Sequence, residues 1–224
     1  MAIKLIAFDW NGTLLSDAQT AVNAENIALK QLGLKSITLN KFRQCFDIPI
    51  IQYWKNVGMD ENFFKSHMHE IEKIYLDIYE PMAKKTRTRA GVKNILDWLN
   101  KEHINRIIYS NHVTAFIDHQ LYRLKIKKYF HTIIARNTKD DTLLHNRGKG
   151  EKLKAYIKLR QFKPTEVISV GDTEEEIEIG KKFGYHTVAI TGGYNSTKRL
   201  KKHHPDFLIH NMLELKSIIK QLNN

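Results

Sequence analysis

The sequence predicts an α/β protein: a doubly wound parallel sheet with an all-helical block inserted after its first strand. Three observations carry this. Short apolar runs alternate with amphipathic segments along most of the chain, the pattern of parallel strands joined by helices. Residues 16–88 break that alternation and read almost wholly as helix. Asp9, Ser110 and Asp172 each stand where an apolar run ends, and open α/β sheets bind ligands beyond the carboxyl ends of their strands.

Each element has its own signal. Ile3 to Phe8 is a short apolar run bounded by Asp9 and by Asn11-Gly12, a pair suited to a tight turn, and so reads as a buried strand. Ser16 or Asp17 offers an N-cap for a helix to about Leu32, closed by Gly33. Pro49 near a first turn and Gly58 at the end bracket the next helix. From Asp60 to Tyr79, Phe63, Phe64, Met68, Ile71, Ile74, Tyr75 and Ile78 recur at helical spacing, a stripe read as packing. Pro81 and the basic run to Arg89 read as a linker. The division is then a core of residues 1–15 and 89–224 and a cap of 16–88. A lid of this kind can close on a substrate and exclude water.

After Gly91 the alternation resumes. Helices are expected over Val92–Lys101, Val113–Leu124, Gly150–Leu159, Glu174–Phe183 and Leu213–Leu222. Strands are expected at Arg106–Tyr109, Thr132–Ala135, Val167–Val170, His186–Ile190 and Phe207–Ile209. Residues 136–148 read as a polar loop.

Composition bounds the function classes. With 42% hydrophobic and 27% charged residues in 224, the chain reads as a globular protein with a substantial core. No run of about 18 apolar residues occurs, so no membrane-spanning helix is expected, and the N-terminus does not read as a signal peptide. A single cysteine, Cys45, leaves no intramolecular disulfide and no cysteine-rich zinc site. A cytoplasmic location is the default. The net charge of +12 fits either attraction of an anionic substrate or merely solvated basic faces. Nucleic-acid binding is the lesser reading: Lys84–Arg89 and Lys198–Lys202 lack the interleaved aromatics of a stacking platform. The eleven histidines, His67, His69, His203 and His204 among them, read as surface residues.

Four stretches present chemistry in a fixed order: Asp9-Trp10-Asn11-Gly12-Thr13, Ser110-Asn111, Lys149-Gly150-Glu151 and Gly171-Asp172-Thr173-Glu174-Glu175-Glu176. Together they resemble the four motifs of the haloacid dehalogenase (HAD) superfamily, in its phosphoglycolate-phosphatase-like form with a helical cap after the first motif. The resemblance spans residue 3 to the last strand, outside the cap. It implies a magnesium-dependent hydrolase with a Rossmann-like core, acting on a small phosphorylated metabolite such as phosphoglycolate, a sugar phosphate or a nucleotide. Asp9 would be the nucleophile. Asp9, Asp172 and the backbone carbonyl of Asn11 would hold Mg²⁺. Lys149 and Ser110 would act on the phosphoryl group, with Gly12, Thr13 and Asn111 beside it.

The chemistry of those roles is sound. A carboxylate that attacks phosphorus splits one hard displacement into two easier steps. Magnesium, a lysine and a hydroxyl supply the positive charge and donors that bring two anions together. Other readings stand beside them. Ser110 and Asp172 are also good helix caps. Lys152 competes with Lys149, which is preferred because Lys-Gly-Glu matches the motif. Glu176 is either an outer-shell metal ligand or a solvated acid.

The sequence departs from the resemblance at Asn11, where family phosphatases carry an Asp that protonates the leaving oxygen and then activates water. An amide does neither, and general acid–base catalysis is worth about 10²–10⁴-fold, roughly 3–5 kcal/mol of barrier. The loss falls hardest on alkyl phosphates, and aryl and acyl phosphates, which leave more readily, suffer less. Three readings follow: a phosphatase whose acid–base group lies elsewhere, which is favoured; a weak enzyme that binds a phosphorylated ligand or partner; or a substituted Asp, Asn-Gly being prone to deamidation.

Overall fold

The computed structural model describes residues 2–137 and 148–224. Its centre is a six-stranded, wholly parallel sheet: β1 (Leu5–Phe8), β2 (Asn105–Val113), β3 (Thr132–Arg136), β4 (Val167–Gly171), β5 (His186–Ile190) and β6 (Phe207–Ile209). The strand order is β3-β2-β1-β4-β5-β6. The chain therefore builds outward from β1 on one side, then crosses to build on the other. Phe8 stands in register with Ile108 of β2 and Val170 of β4, which makes the end of β1 the crossover point.

Alternation along the strands covers both faces. Ile6 and Phe8 pack with Ile108, Ile168 and Val170 into the larger core. Leu5 and Ala7 face the other way, with Ile107, Tyr109, Leu153 and Ile157. Helix α5 (Val92–Lys101) closes the first face because Val92, Ile95, Leu96 and Leu99 fall on one stripe. On the second face lies α7 (Lys149–Leu159), whose first residue points to the site.

Between β1 and β2 the chain forms α1 (Ala18–Gln31), α2 (Leu39–Cys45), α3 (Ile50–Val57) and α4 (Glu61–Ala83). These helices share a separate apolar cluster that includes Phe42, Tyr53, Trp54, Phe64 and Ile71. Outgoing and returning segments run side by side: Ser16 N–H donates to Arg87 O at 2.9 Å and Arg89 N–H to Leu14 O at 2.9 Å. The inserted helices thus hang from a paired, two-stranded neck.

Three expectations are corrected and one element is added. Pro81 does not open a linker, because α4 runs through it to Ala83. Pro81 is exposed in the last turn, where the carbonyl that loses its donor can be hydrated. Strand β2 does not end at Tyr109 but continues through Ser110 and Asn111 to Val113, with a register shift between Tyr109 and Val113. Residues Thr197–Lys202, to which the sequence reading gives no element, form a helix, α9, capped by Ser196. The final helix, α10, starts at Leu215 after a 3₁₀ turn at Met212–Glu214. The polar loop expected over 136–148 lies, from 138 to 147, outside the described residues. Among the described residues no helix is long and apolar enough to cross a membrane.

Candidate active site

The site forms at the crossover. Asp9 follows β1, and its backbone N–H donates to Val170 O at 2.8 Å, which fixes its carboxyl between β2 and β4. Asp172 follows β4, two residues before α8 (Glu174–Phe183). Lys149 enters from the start of α7, and its ammonium lies 3.1 Å from Asp9 Oδ1 and 3.3 Å from Glu175 Oε2, with a further pairing to Glu176. Lys152, by contrast, is exposed.

Asp9, Asp172, Glu175 and Glu176 are all buried, and Lys149 is the buried ammonium that faces Asp9, Glu175 and Glu176. Burial, and then the neighbouring Glu176 and Asp172 carboxylates, push the Asp9 carboxyl well above the usual range against the pull of Lys149. Burial and Glu176 raise Asp172 to about 7. Burial also raises Glu175. Burial alone would lower Lys149, but Asp9, Glu175 and Glu176 outweigh it and hold the ammonium well above its ordinary value. Four carboxyls thus share this cluster with the Lys149 ammonium.

The hydrogen bonds settle several open readings. Helix α6 (Thr114–Arg123) starts beyond Ser110, with Val113 at its N-cap, so Ser110 caps nothing. Its hydroxyl accepts from His112 N–H at 3.2 Å. Asn111 Nδ2 donates to Glu175 Oε2 at 2.6 Å. Asp172 does not cap α8, whose N-cap is Thr173. Asp172 Oδ1 accepts from Thr13 Oγ1 at 2.5 Å and Oδ2 from Tyr194 N–H at 2.6 Å. Glu176 is no solvated acid: its Oε2 accepts from Thr173 N–H at 2.9 Å and Thr173 Oγ1 at 2.6 Å. Nor are all histidines superficial, since His112 Nε2 lies largely buried 2.9 Å from Glu80 Oε1.

Sequence reasoning missed Glu175, which the fourth stretch contains without a role, and Asp17. Asp17 occupies the N-cap position of α1 but makes no cap bond. Its carboxylate, fully buried, turns inward instead. Oδ1 accepts from Gly12 N–H at 2.6 Å. Oδ2 accepts from Asn11 Nδ2 at 2.8 Å, Tyr79 Oη at 2.6 Å and Tyr194 Oη at 2.7 Å. Asn11 Nδ2 also donates to Tyr79 Oη at 2.7 Å, so both amide hydrogens are used. What Asn11 has left is an acceptor.

One cavity of about 160 Å³ joins the acidic cluster to the inserted helices. Asp9, Asn11, Ser110, Asn111, Lys149, Glu175 and Glu176 line one part, and Phe42, Phe46, Trp54, Phe64, Met68 and Ile71 line another. Gly12, Thr13 and Asp172 do not line it. Gly12 is held by Asp17 and by Arg89, whose Nη1 donates to Gly12 O at 2.7 Å. A Cβ on Gly12 would stand 2.2 Å from Asp172 Oδ2, and its φ is +73°. These three residues form the wall behind Asp9.

The donor set suits a hard divalent cation. The cluster gathers four buried carboxyls and the Lys149 ammonium, and Glu175 Oε1 is buried without a hydrogen-bond partner. Among the described residues no three His, Cys, Asp or Glu converge into a closed cage. Mg²⁺ commonly binds one or two carboxylates and takes its other oxygens from water and phosphate.

Known proteins resemble this chain over nearly its whole length. A family model described as haloacid dehalogenase-like hydrolase matches residues 6–190. A phosphoglycolate phosphatase of Photobacterium profundum is 25% identical, over 97% of this chain and 96% of its own. Phosphoglycolate phosphatase 1 of Pseudomonas aeruginosa is 22% identical, over 95% of this chain and 78% of its own. Among solved structures, a haloacid dehalogenase-like family protein of Streptococcus pneumoniae superposes with a TM-score of 0.81 at 21% identity, covering 96% of this chain and 98% of that one. A hydrolase of Pseudomonas syringae gives 0.80 at 16%, covering 99% and 100%. At such identities these structures speak for the fold.

Proposed function

The chain belongs to the haloacid dehalogenase-like hydrolases, and on that premise we propose that it is a phosphatase acting on a small phosphomonoester through Asp9. The observation that carries this reading is the placement of Asp9 at the crossover of the sheet, in contact with Lys149 and backed by Asp172. Relatives named as phosphoglycolate phosphatases support the reaction class.

Asp9 attacks phosphorus as a carboxylate, forming an aspartyl phosphate that water then hydrolyses. Lys149 places an ammonium against the nucleophile, where it offsets charge on the incoming phosphoryl group. Ser110, buried on the cavity wall, offers a hydroxyl donor to that group. Asp9 and Asp172, with the carbonyl of Asn11, would hold Mg²⁺, and Glu176 would stand outside them as the partner of Lys149. Bound there, the cation would neutralise the phosphate oxygens and favour the ionised form of Asp9. Residues 16–88 serve as the cap, and the cavity they share with the cluster shields the intermediate from bulk water.

The test is phosphate release from a panel of aryl, acyl and alkyl phosphates, with Mg²⁺ and with a chelator. Release that requires Mg²⁺ is expected. If no ester is hydrolysed while one of them still raises the melting temperature, the chain is a binding protein and this reading fails.

A further inference from the structure

We propose that the cavity is built for an aryl phosphomonoester, with a single apolar ring as the leaving group. This rests on the phosphatase reading and names the substrate class of that same site.

Three independent features point to it. The first is the wall. Beyond the acidic cluster the cavity is lined chiefly by rings and aliphatic side chains, among them Phe42, Phe46, Trp54, Phe64, Met68 and Ile71, with the carboxyls of Glu25 and Glu72 also on that wall. The rings are already packed against one another, with Phe42–Phe46 centroids 5.1 Å apart and Trp54–Phe64 centroids 6.0 Å apart. A ring entering there meets edges and faces set in advance.

The second is the disposition of charge. A carboxylate-bearing leaving group, such as the glycolate part of phosphoglycolate, needs a cation beside it. The cavity's lysine, Lys149, is held by Asp9, Glu175 and Glu176. Its arginine, Arg136, pairs with Glu72 and donates from Nε to Asn111 O at 2.9 Å. His112 faces Glu80. Lys149 and Arg136, the lysine and arginine that line the described cavity, are each held by acids on its wall.

The third is Asn11. Its two amide hydrogens are spent on Asp17 and Tyr79, and the Tyr79 and Tyr194 hydroxyls also donate to Asp17. The leaving oxygen therefore meets an acceptor at Asn11, with no proton to take from it. An alkoxide cannot depart readily in that setting, whereas a phenolate can. As Asp9 Oδ attacks, the P–O(aryl) bond breaks and its electron pair leaves on the aryl oxygen, which takes a proton from solvent. Water then attacks the aspartyl phosphate, its proton passes to the departing phosphate, and Asp9 is restored.

Binding of non-hydrolysable phosphonates separates recognition from intrinsic reactivity. With Mg²⁺ present, calorimetry is expected to show benzylphosphonate binding about 10-fold more tightly than phosphonoacetate. Met68→Ala, a partly buried position, is expected to weaken benzylphosphonate by about 3–10-fold and phosphonoacetate by less than about 2-fold. Phosphonoacetate binding as tightly or more tightly overturns the inference. So does a benzylphosphonate preference that Met68→Ala, shown folded by its melting transition, leaves untouched. In turnover, kcat/KM is expected to rise steeply as the leaving phenol becomes more acidic across substituted phenyl phosphates. Faster hydrolysis of phosphoglycolate than of phenyl phosphate overturns the aryl assignment alone. Failure of every ester and both phosphonates overturns the phosphatase reading with it.

Discussion

Asn11 and Asp17 form a pair in which one member is neutral, and this sets what a single substitution can do. Asn11→Asp would place a second carboxyl 2.8 Å from the buried Asp17 oxygen, so the two would share a proton and one would titrate far above its ordinary range. The variant is expected to gain activity on alkyl phosphates, by up to about 10²-fold, with little change on aryl phosphates. It should also lose about 1–3 kcal/mol of stability above neutral pH. Kinetics on matched ester pairs and melting curves against pH check both halves. Equal rates on alkyl esters would show that another acid already serves. At Gly12 the constraint is steric. Ala there has a Cβ 2.2 Å from Asp172 Oδ2 and a left-handed backbone, so Gly12→Ala is expected to cost about 1–3 kcal/mol and most of the cation-dependent stabilisation. At this scale the sequence was legible where a residue ends a strand, as Asp9 and Asp172 do, or starts a helix, as Lys149 does. Asp17 was not, because capping residue and buried acceptor look alike in sequence. The weak signal was the doubled Ser16-Asp17, which offers one more cap than α1 needs.

Among the elements, the segment after β5 matters more than its sequence suggests. Residues 191–199 join the core to the inserted helices. Arg43 Nε and Nη2 donate to Gly193 O at 2.9 Å and Gly192 O at 2.8 Å. Arg199 Nη2 pairs with Glu174 Oε1 at 2.7 Å, and Nη1 donates to Phe46 O. Tyr194 stands between Phe42 and Phe46, with centroids 5.1 and 4.9 Å away. The basic cluster at 198–202 is thus partly a clamp, a fact that only tertiary packing reveals. Arg199→Ala is expected to lower stability by about 1–2 kcal/mol and to raise KM more than it lowers kcat. Thermal melts and steady-state kinetics read the two effects. An unchanged KM would mean that the clamp does not hold the cavity wall. The strands and most helices were legible because apolar period, caps and glycine stops agree. The end of α4 was not, because an exposed proline near a helix terminus is tolerated where one in mid-helix would not be.

For the molecule as a whole, the parallel sheet and the inserted helices follow from the alternation of elements, while the strand order and the cavity needed the fold. Buried acids make stability depend on pH. Glu25, within the inserted helices, accepts from Tyr53 Oη, and burial raises its carboxyl to about 8. Between about pH 4.5 and 8 the unfolded chain gives up this proton while the folded chain keeps it. Stability from this group is therefore full at low pH and lost as pH rises through about 8. Glu25→Gln is expected to flatten the decline and to be more stable than the parent at pH 8, by on the order of a few kcal/mol. Denaturant melts at pH 5 and pH 8 without divalent cation measure it, and parallel declines would contradict the assignment.

The whole reading turns on Asp9 as the group that takes the phosphoryl. It is tested most directly by mass spectrometry of the protein acid-quenched during turnover of phenyl phosphate with Mg²⁺. One phosphoryl group is expected on the peptide that carries Asp9, and none in Asp9→Asn. Steady turnover with no phosphoryl on that peptide, and with Asp9→Asn as fast as the parent, would contradict it.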